Sequence, residues 1–291
     1  MIKCFYHNKD FDGECSAAIV KEYYGPYIQL IGLNYGDPWG GDSPIEDQIT
    51  SEDIVVMVDF SLRPFERMLE IQDRASIFIW IDHHKSIIDE ASINEKKIEK
   101  CSLDLSLSAC EQTWKYFFPT IEIPEGVKLL GRYDVWDHAY SNKVQPFEYG
   151  MRGMIENGAN DPIWDRVFFE ESFIEEVVQL GSHILNYQNK VNKWNMKFSF
   201  PATIDGIKFI CINNAMTGSL QFDSVWDPEK YDAVLVFFRT PEKKWKIRVY
   251  TIKEGIDLTK ITVKRGGGGH ITAGGWTANH LSFLNEGEDN V

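Results

Sequence analysis

Apolar residues come in short unbroken runs through the first third of the chain. IKCFY (2–6), DIVVMVDF (53–60) and SIFIWID (76–82) are rich in Ile, Val and Phe, as expected of strands covered on both faces. Between them GECSAAIVKEYY (13–24) and PFERMLEIQDR (64–74) predict helices. That alternation predicts a parallel sheet with helices on both sides. Around 164–197, Ile174, Val177, Val178, Ile184, Leu185, Val191 and Trp194 recur at helical spacing, predicting one long helix or a pair. After Pro201 the pattern turns to strands again, at IKFICIN (207–213), YDAVLVFF (231–238) and KWKIRVYTI (244–252). The fold class expected is therefore α/β, with a first domain over 1–197, a smaller α/β domain over 198–291 and a cleft between them.

Composition narrows the picture little: 43% apolar and 25% charged residues over 291 positions describe a globular chain. No apolar run is long enough for a secretory signal or a membrane span, so a cytoplasmic protein without a membrane partner is expected. Five scattered cysteines without a CxxC pair predict reduced thiols. Charge changes more. The formal net charge is −14, and from residue 200 onward there are 11 basic and 11 acidic residues, so the whole acidic excess lies before it. Long nucleic acid is gripped by neutralising phosphates, and an acidic body of this kind excludes that mode while favouring cations.

The chemistry-bearing residues stand where the predicted strands end. The first strand runs into HNKDFDG, carrying His7, Asp10 and Asp12, with Gly13 allowing a close turn into the next helix. The second ends at Asp59 and the third at Asp82, His83 and His84. In an open parallel sheet ligands gather beyond the carboxyl ends of the strands. Each motif alone reads best as a solvated turn, a helix cap or a hydrogen-bonded core histidine. Several carboxylates on one rim, however, raise one another's pKa unless a cation joins them. Carboxylate and imidazole without thiolate suit Mn²⁺ or Mg²⁺, with Zn²⁺ or Fe²⁺ also compatible.

HNKDFDG, VDF, IDHH, GRYDVWDH (131–138) and GGGGHITAGG (266–275), in that order along nearly the whole chain, resemble the motifs of the DHH phosphoesterase superfamily. The group includes RecJ-type exonucleases, nano-RNases, cyclic-dinucleotide phosphodiesterases and family II pyrophosphatases. The resemblance implies an N-terminal DHH domain with a DHH-associated C-terminal domain, and two Mn²⁺ ions or other divalent metals. His7 and Asp10 would hold one ion, Asp12 and His83 the other, and Asp59 would bridge them. Asp134 would complete the ligand set of the second ion, with Asp137 as the competing acid. Asp82 would orient a ligand, and His84 would touch phosphate or transfer a proton. Arg265, Gly268, Gly269 and His270 would bind the nucleotide.

These roles imply a phosphodiesterase that cuts short oligonucleotides or dinucleotides to mononucleotides with a metal-activated water. A phosphoanhydride or phosphomonoester hydrolase, acting on pyrophosphate or 3′-phosphoadenosine 5′-phosphate, is the second reading, and a non-catalytic nucleotide-binding module the third. The implied partner is a short nucleotide substrate, and a homodimer is left open. Arg63, Arg132 and Ser108 near the motifs read as packing or surface residues, and the loop 32–47 as a solvated connection.

Overall fold

The computed structural model describes residues 1–35, 44–215, 219–269 and 271–285. Contacts divide the chain into two units, Met1–Leu185 and Asn186–Val291.

In the first unit the chain runs β1 (Ile2–His7), α1 (Phe11–Tyr24), β2 (Gln29–Leu33), β3 (Ile54–Val58), α2 (Glu66–Arg74), β4 (Ile77–Asp82), α3 (Lys85–Ile93) and β5 (Lys100–Leu103). Then come α4 (Ala109–Phe117), α5 (Glu125–Asp134), α6 (Val144–Met154), α7 (Ile163–Phe169) and α8 (Glu171–Asn195), the division between the units falling within α8. The strands form one parallel sheet in the order β2-β1-β3-β4-β5. Alternate residues of the central strands feed opposite faces. Phe5, Val55, Met57, Phe78 and Trp80 pack with Met68, Leu69 and Ile71 of α2; Cys4, Tyr6, Val56, Val58, Ile79 and Ile81 pack with Ala17 and Val20 of α1. The unbroken apolar runs are thus explained by burial on both sides. A third cluster, including Ile19, Trp114, Leu130, Phe147 and Phe173, joins α1 to the later helices.

The second unit holds β6 (Phe200–Ile204), β7 (Ile207–Asn213), β8 (Ala233–Arg239), β9 (Trp245–Tyr250), α9 (Thr259–Lys264), β10 (Gly268–Gly269) and β11 (Ala273–Ala278). Its sheet is mixed, in the order β10-β11-β9-β8-β7-β6, with β7 and β8 parallel and the other neighbours antiparallel. The α/β class with a parallel N-terminal sheet and a second sheet after it is therefore the observed architecture. Among the described residues no helix is long and apolar enough to cross a membrane.

Register brings the site together. Tyr6 pairs with Val58 and Val58 with Ile81, so His7, Asp59 and Asp82 follow at one level on three adjacent parallel strands. The order also reverses between β1 and β3, since β1 leads outward to β2 and the next strand returns to its other side. That is the topological switch point at which open sheets bind ligands.

Candidate metal centre at the strand ends

At the end of β1 the chain turns directly into α1. A Cβ on Gly13 would lie 1.9 Å from the His7 carbonyl oxygen, so only glycine lets the helix start this close to the strand. Asp10 caps α1, accepting from the Gly13 N–H at 3.2 Å. His7 Nδ1 is 3.1 Å from Asp10 Oδ2 and 3.7 Å from Asp59 Oδ2. Asp12 is buried and accepts from the Ala109 and Cys110 N–H groups at 2.8 and 2.7 Å. The positive end of α4 thus holds this carboxylate in place.

Asp59 ends β3 with φ 52, the left-handed region, and with 1% of its surface exposed. Its Oδ1 lies 3.4 Å from His83 Nε2 and 3.8 Å from His84 Nδ1. Among the described residues no group donates a hydrogen bond to it. His83 Nε2 also lies 3.5 Å from Asp12 Oδ2 and 3.3 Å from Asp134 Oδ2. Asp134, the last residue of α5, therefore reaches the cluster, while Asp137 faces Arg132 at 3.7 Å. Asp82 Oδ1 accepts from the backbone N–H groups of His83 and His84, at 2.7 and 2.9 Å, and stands 2.8 Å from His84 Nδ1. One buried carboxylate thereby fixes the whole Asp-His-His turn.

The electrostatics of the cluster are set by burial and by carboxylates facing one another. Burial, and then the charge of Asp12, push the Asp59 carboxyl well above its usual range, and burial with the Asp12 and Asp59 charges does the same to Asp134. Burial opposes a charge on His7, yet the Asp10 and Asp59 carboxylates outweigh it and raise the imidazole to about 10. A cluster built from these oxygen and nitrogen donors therefore favours added positive charge. Three sets have donor atoms within 4.8 Å of one another: His7, Asp10 and Asp59; Asp12, His83 and Asp134; and Asp59, His83 and His84. Carboxylate and imidazole donors, a buried Asp59 oxygen without a donor among the described residues, and two residues, Asp59 and His83, each shared between two sets all fit divalent metal ions. His84, expected at phosphate, thus also stands within reach of a ligand set.

The other expected residues divide. Ser108 is the buried N-cap of α4, in a reciprocal capping box with Glu111. Arg132 pairs with Glu111, and Arg63 lies against Ser86 and Glu90. In the second unit Arg265 pairs with Asp205 at 2.5 Å and packs over Trp276, 15% of its side chain exposed. Gly268 and Gly269 form the edge strand of a tight hairpin with Gly274 and Gly275. Gly269 has φ 137, and a Cβ there would lie 2.4 Å from the Ala273 carbonyl oxygen. Hairpin closure accounts for that glycine. A Cβ on Gly268 would meet nothing within 4 Å. His270 lies outside the described residues, as do residues 36–43 of the 32–47 loop. Tyr35 was not signalled by any motif, yet its ring stacks on Phe60 at 4.6 Å and stands 5.6 Å from His7. The capping of α4 by Asp12 was equally hidden, because 97 residues separate Asp12 from Ala109.

Residues 2–129 match the family model described as DHH family, N-terminal domain. The uncharacterized protein R106 of Acanthamoeba polyphaga mimivirus is 26% identical over 242 residues, 76% of this chain and 52% of that protein. The chain therefore spans about half the length of this relative. Two solved structures share the fold at low identity. The pGpG-specific phosphodiesterase PggH from Vibrio cholerae superimposes with a TM-score of 0.56 at 12% identity, over 99% of this chain and 96% of that one. An exopolyphosphatase-related protein from Bacteroides fragilis does so with a TM-score of 0.50 at 13% identity, over 94% and 85%. The matched segment contains His7, Asp10, Asp12, Asp59 and the Asp82-His83-His84 turn, so most of the cluster lies in the part of this chain that is similar to the N-terminal domain of the DHH family.

Proposed function

We propose that the chain is a phosphodiesterase that hydrolyses short oligonucleotides or dinucleotides, using two divalent ions, Mn²⁺ first among them. The observation that carries this reading is Asp59, buried on the rim with one oxygen lacking a donor among the described residues and shared between two ligand sets. His7 and Asp10 would hold one ion, Asp12, His83 and Asp134 the other, and Asp59 both. Bound there, the ions supply Lewis acidity towards a phosphoryl group and make water acidic enough to attack phosphorus near neutral pH.

The chain's own residues account for the proton and the orientation. Asp82 is held below its usual range: burial opposes its charge, but the His84 ring and backbone N–H groups outweigh it. An ionised Asp82 accepts a hydrogen bond from the Nδ1–H of His84 and fixes the ring, leaving Nε2 to hold a second proton. Burial opposes that second proton as well, and Asp82 outweighs burial to raise the His84 pKa. His84 would then give a proton to the departing oxygen or pair with a phosphate oxygen. Asp82 acts only through His84, as the aspartate of a triad acts through its histidine.

Short substrates follow from the charge. The acidic excess before residue 200 opposes a long run of phosphates, and a neighbour of the same fold is named for a dinucleotide, pGpG. In the second unit the exposed Gly268–Gly269 edge and His270 are proposed as a further nucleotide contact. Arg265 would first have to leave Asp205.

The deciding experiment is hydrolysis with Mn²⁺, and again after chelation, of a linear dinucleotide, a five-residue RNA, a long single strand, a cyclic dinucleotide, 3′-phosphoadenosine 5′-phosphate and pyrophosphate. Metal-dependent cleavage confined to short nucleotides is expected. Cleavage of pyrophosphate or the monoester alone would move the protein to the second reading, and silence throughout would leave a nucleotide-binding module.

A further inference from the structure

We propose that Trp136 is a stacking platform for a nucleobase of the substrate, set beside the carboxylate and histidine cluster at the end of α5. The inference rests on the phosphodiesterase reading and deepens it by assigning a residue to base recognition.

The starting observation is the way α5 stops. Asp134 is its last residue, and the Trp136 N–H bonds the Tyr133 carbonyl at 3.2 Å while the Asp137 N–H bonds the Arg132 carbonyl at 2.8 Å. This pair of bonds ends a helix through one residue in the left-handed conformation, a place where glycine, or sometimes asparagine, is favoured. Here that residue is Trp136, with φ 62. A bulky aromatic residue at positive φ is a true outlier, and strain of this sort points to a use when the surroundings do not explain it. Packing does not explain it, because the Trp136 side chain is 53% exposed rather than placed in the core.

The exposed ring is braced from one side. Its centroid lies 4.5 Å from that of His138, which stacks on Tyr133 at 5.0 Å and 26°, and His138 Nδ1 is 3.1 Å from Gln145 Nε2. Arg152 lies over the Tyr133 ring at 5.6 Å and pairs with Glu148. A braced aromatic ring with a solvent-facing side loses little freedom when a flat ligand covers it. Placement then selects the ligand. Trp136 is two residues from Asp134, whose carboxylate is 3.3 Å from His83 Nε2, so the ring and the cluster are joined by two peptide units. Two peptide units hold the Trp136 and Asp134 Cα atoms within about 7 Å of each other, so a molecule anchored by phosphate at the cluster and carrying a planar ring fits both, and a nucleotide is such a molecule. Stacking on an aromatic side chain is sequence-tolerant because every base has a π face, which suits degradation of mixed short oligonucleotides.

The test compares the wild type with Trp136→Gly, Trp136→Asn and Trp136→Phe on a linear dinucleotide and on its counterpart lacking both bases, with Mn²⁺. Gly and Asn remove the ring at a position that tolerates them, and Phe keeps one. The preference for the dinucleotide, taken as the ratio of kcat/KM for the two substrates, is expected to fall about tenfold in the Gly and Asn variants, the order of one base stack. Phe should retain most of it. The melting temperature of Trp136→Gly should not fall, since relief of the left-handed strain offsets the lost ring contact. An unchanged preference in active Gly and Asn variants would overturn the platform and leave the phosphodiesterase reading intact. Equal losses on both substrates would also overturn it, assigning Trp136 to holding Asp134 in place. A wild type that cleaves neither substrate would remove the phosphodiesterase reading, and the platform with it.

Discussion

Individual side chains in the first unit carry charge at a cost, and the cost is concentrated around the strand ends. Asp59 combines a left-handed backbone with full burial, a conformation that aspartate tolerates better than most residues but that is uncommon outside turns. A similar burden falls on Glu148 of α6, which is buried and pairs with Arg152 across one helical turn. Burial dominates there, and Arg152 only partly offsets it, so the Glu148 carboxyl is raised to about 7. The sign of the consequence follows from linkage. In the unfolded chain this group loses its proton near its ordinary value of about 4.3, whereas in the folded chain it keeps the proton until about 7. Between those values the folded state binds more protons, so stability falls as pH rises through the window. Glu148→Gln, measured by denaturant unfolding after chelation, should remove a decline of roughly 3 kcal/mol between about pH 4.5 and 7. An unchanged slope would show that Glu148 is ionised throughout and that Arg152 neutralises it fully.

At the scale of elements, two carboxylates of the candidate centre differ in what else they do. Asp12 binds the first two amides of α4, and α4 in turn contributes Trp114 and Phe117 to the packing of α1 and the sheet. Among the described residues Asp134 contributes no such bond to a helix end; it meets His83 from the end of α5. Asp12→Ala should therefore cost the metal-free protein about 2 kcal/mol or more through unsatisfied buried N–H groups, while Asp134→Ala should leave its stability unchanged or slightly raised. Both should lose metal-dependent activity. Thermal melts in chelator, set beside hydrolysis with Mn²⁺, separate the two roles, and equal melting temperatures would contradict the assignment of Asp12 to α4. The same elements explain what the sequence made legible. Strands β1, β3 and β4 were readable because burial on both faces demands apolar residues at every position. The edge strands β2 and β5 are half exposed, with QLIGL and KCSL as their sequences, and their pattern carries no comparable constraint. Helix α4 was obscured because Glu111, Gln112 and Thr113 are buried polar residues, satisfied by a capping box, by Gln112 accepting from Ser102 and Asp104, and by Thr113 donating to the Ala109 carbonyl one turn back. The site residues stood out because they interrupt apolar runs at strand ends, whereas Tyr35 stands beyond an edge strand without any such contrast.

For the molecule as a whole, charge is distributed as unevenly as structure. Before residue 200 there are 19 basic and 33 acidic residues, and after it the two signs balance. The clustered carboxylates add a local repulsion to that general one, and sodium ions screen only the general part, because buried pairs are little affected by ionic strength. Divalent ions bound at the centre would stabilise the folded state by mass action, by about 2.7 kcal/mol at a hundred times their dissociation constant. This separates two origins of stabilisation that a simple melt would merge. Adding Mn²⁺ to the chelated protein should raise the melting temperature well beyond an equal ionic strength of NaCl, and Asp59→Asn should lose that increment while keeping the response to NaCl. Hydrogen exchange should place the added protection at the ends of β1, β3 and β4, in residues 8–14, 59–61 and 83–85, and at the first amides of α4. Amides of β7, β8 and β9 should slow far less, since the ligand residues all belong to the first unit. Protection spread evenly over both units, or retained in Asp59→Asn, would mean that Mn²⁺ acts on the acidic surface in general and that the rim cluster holds no ion of its own.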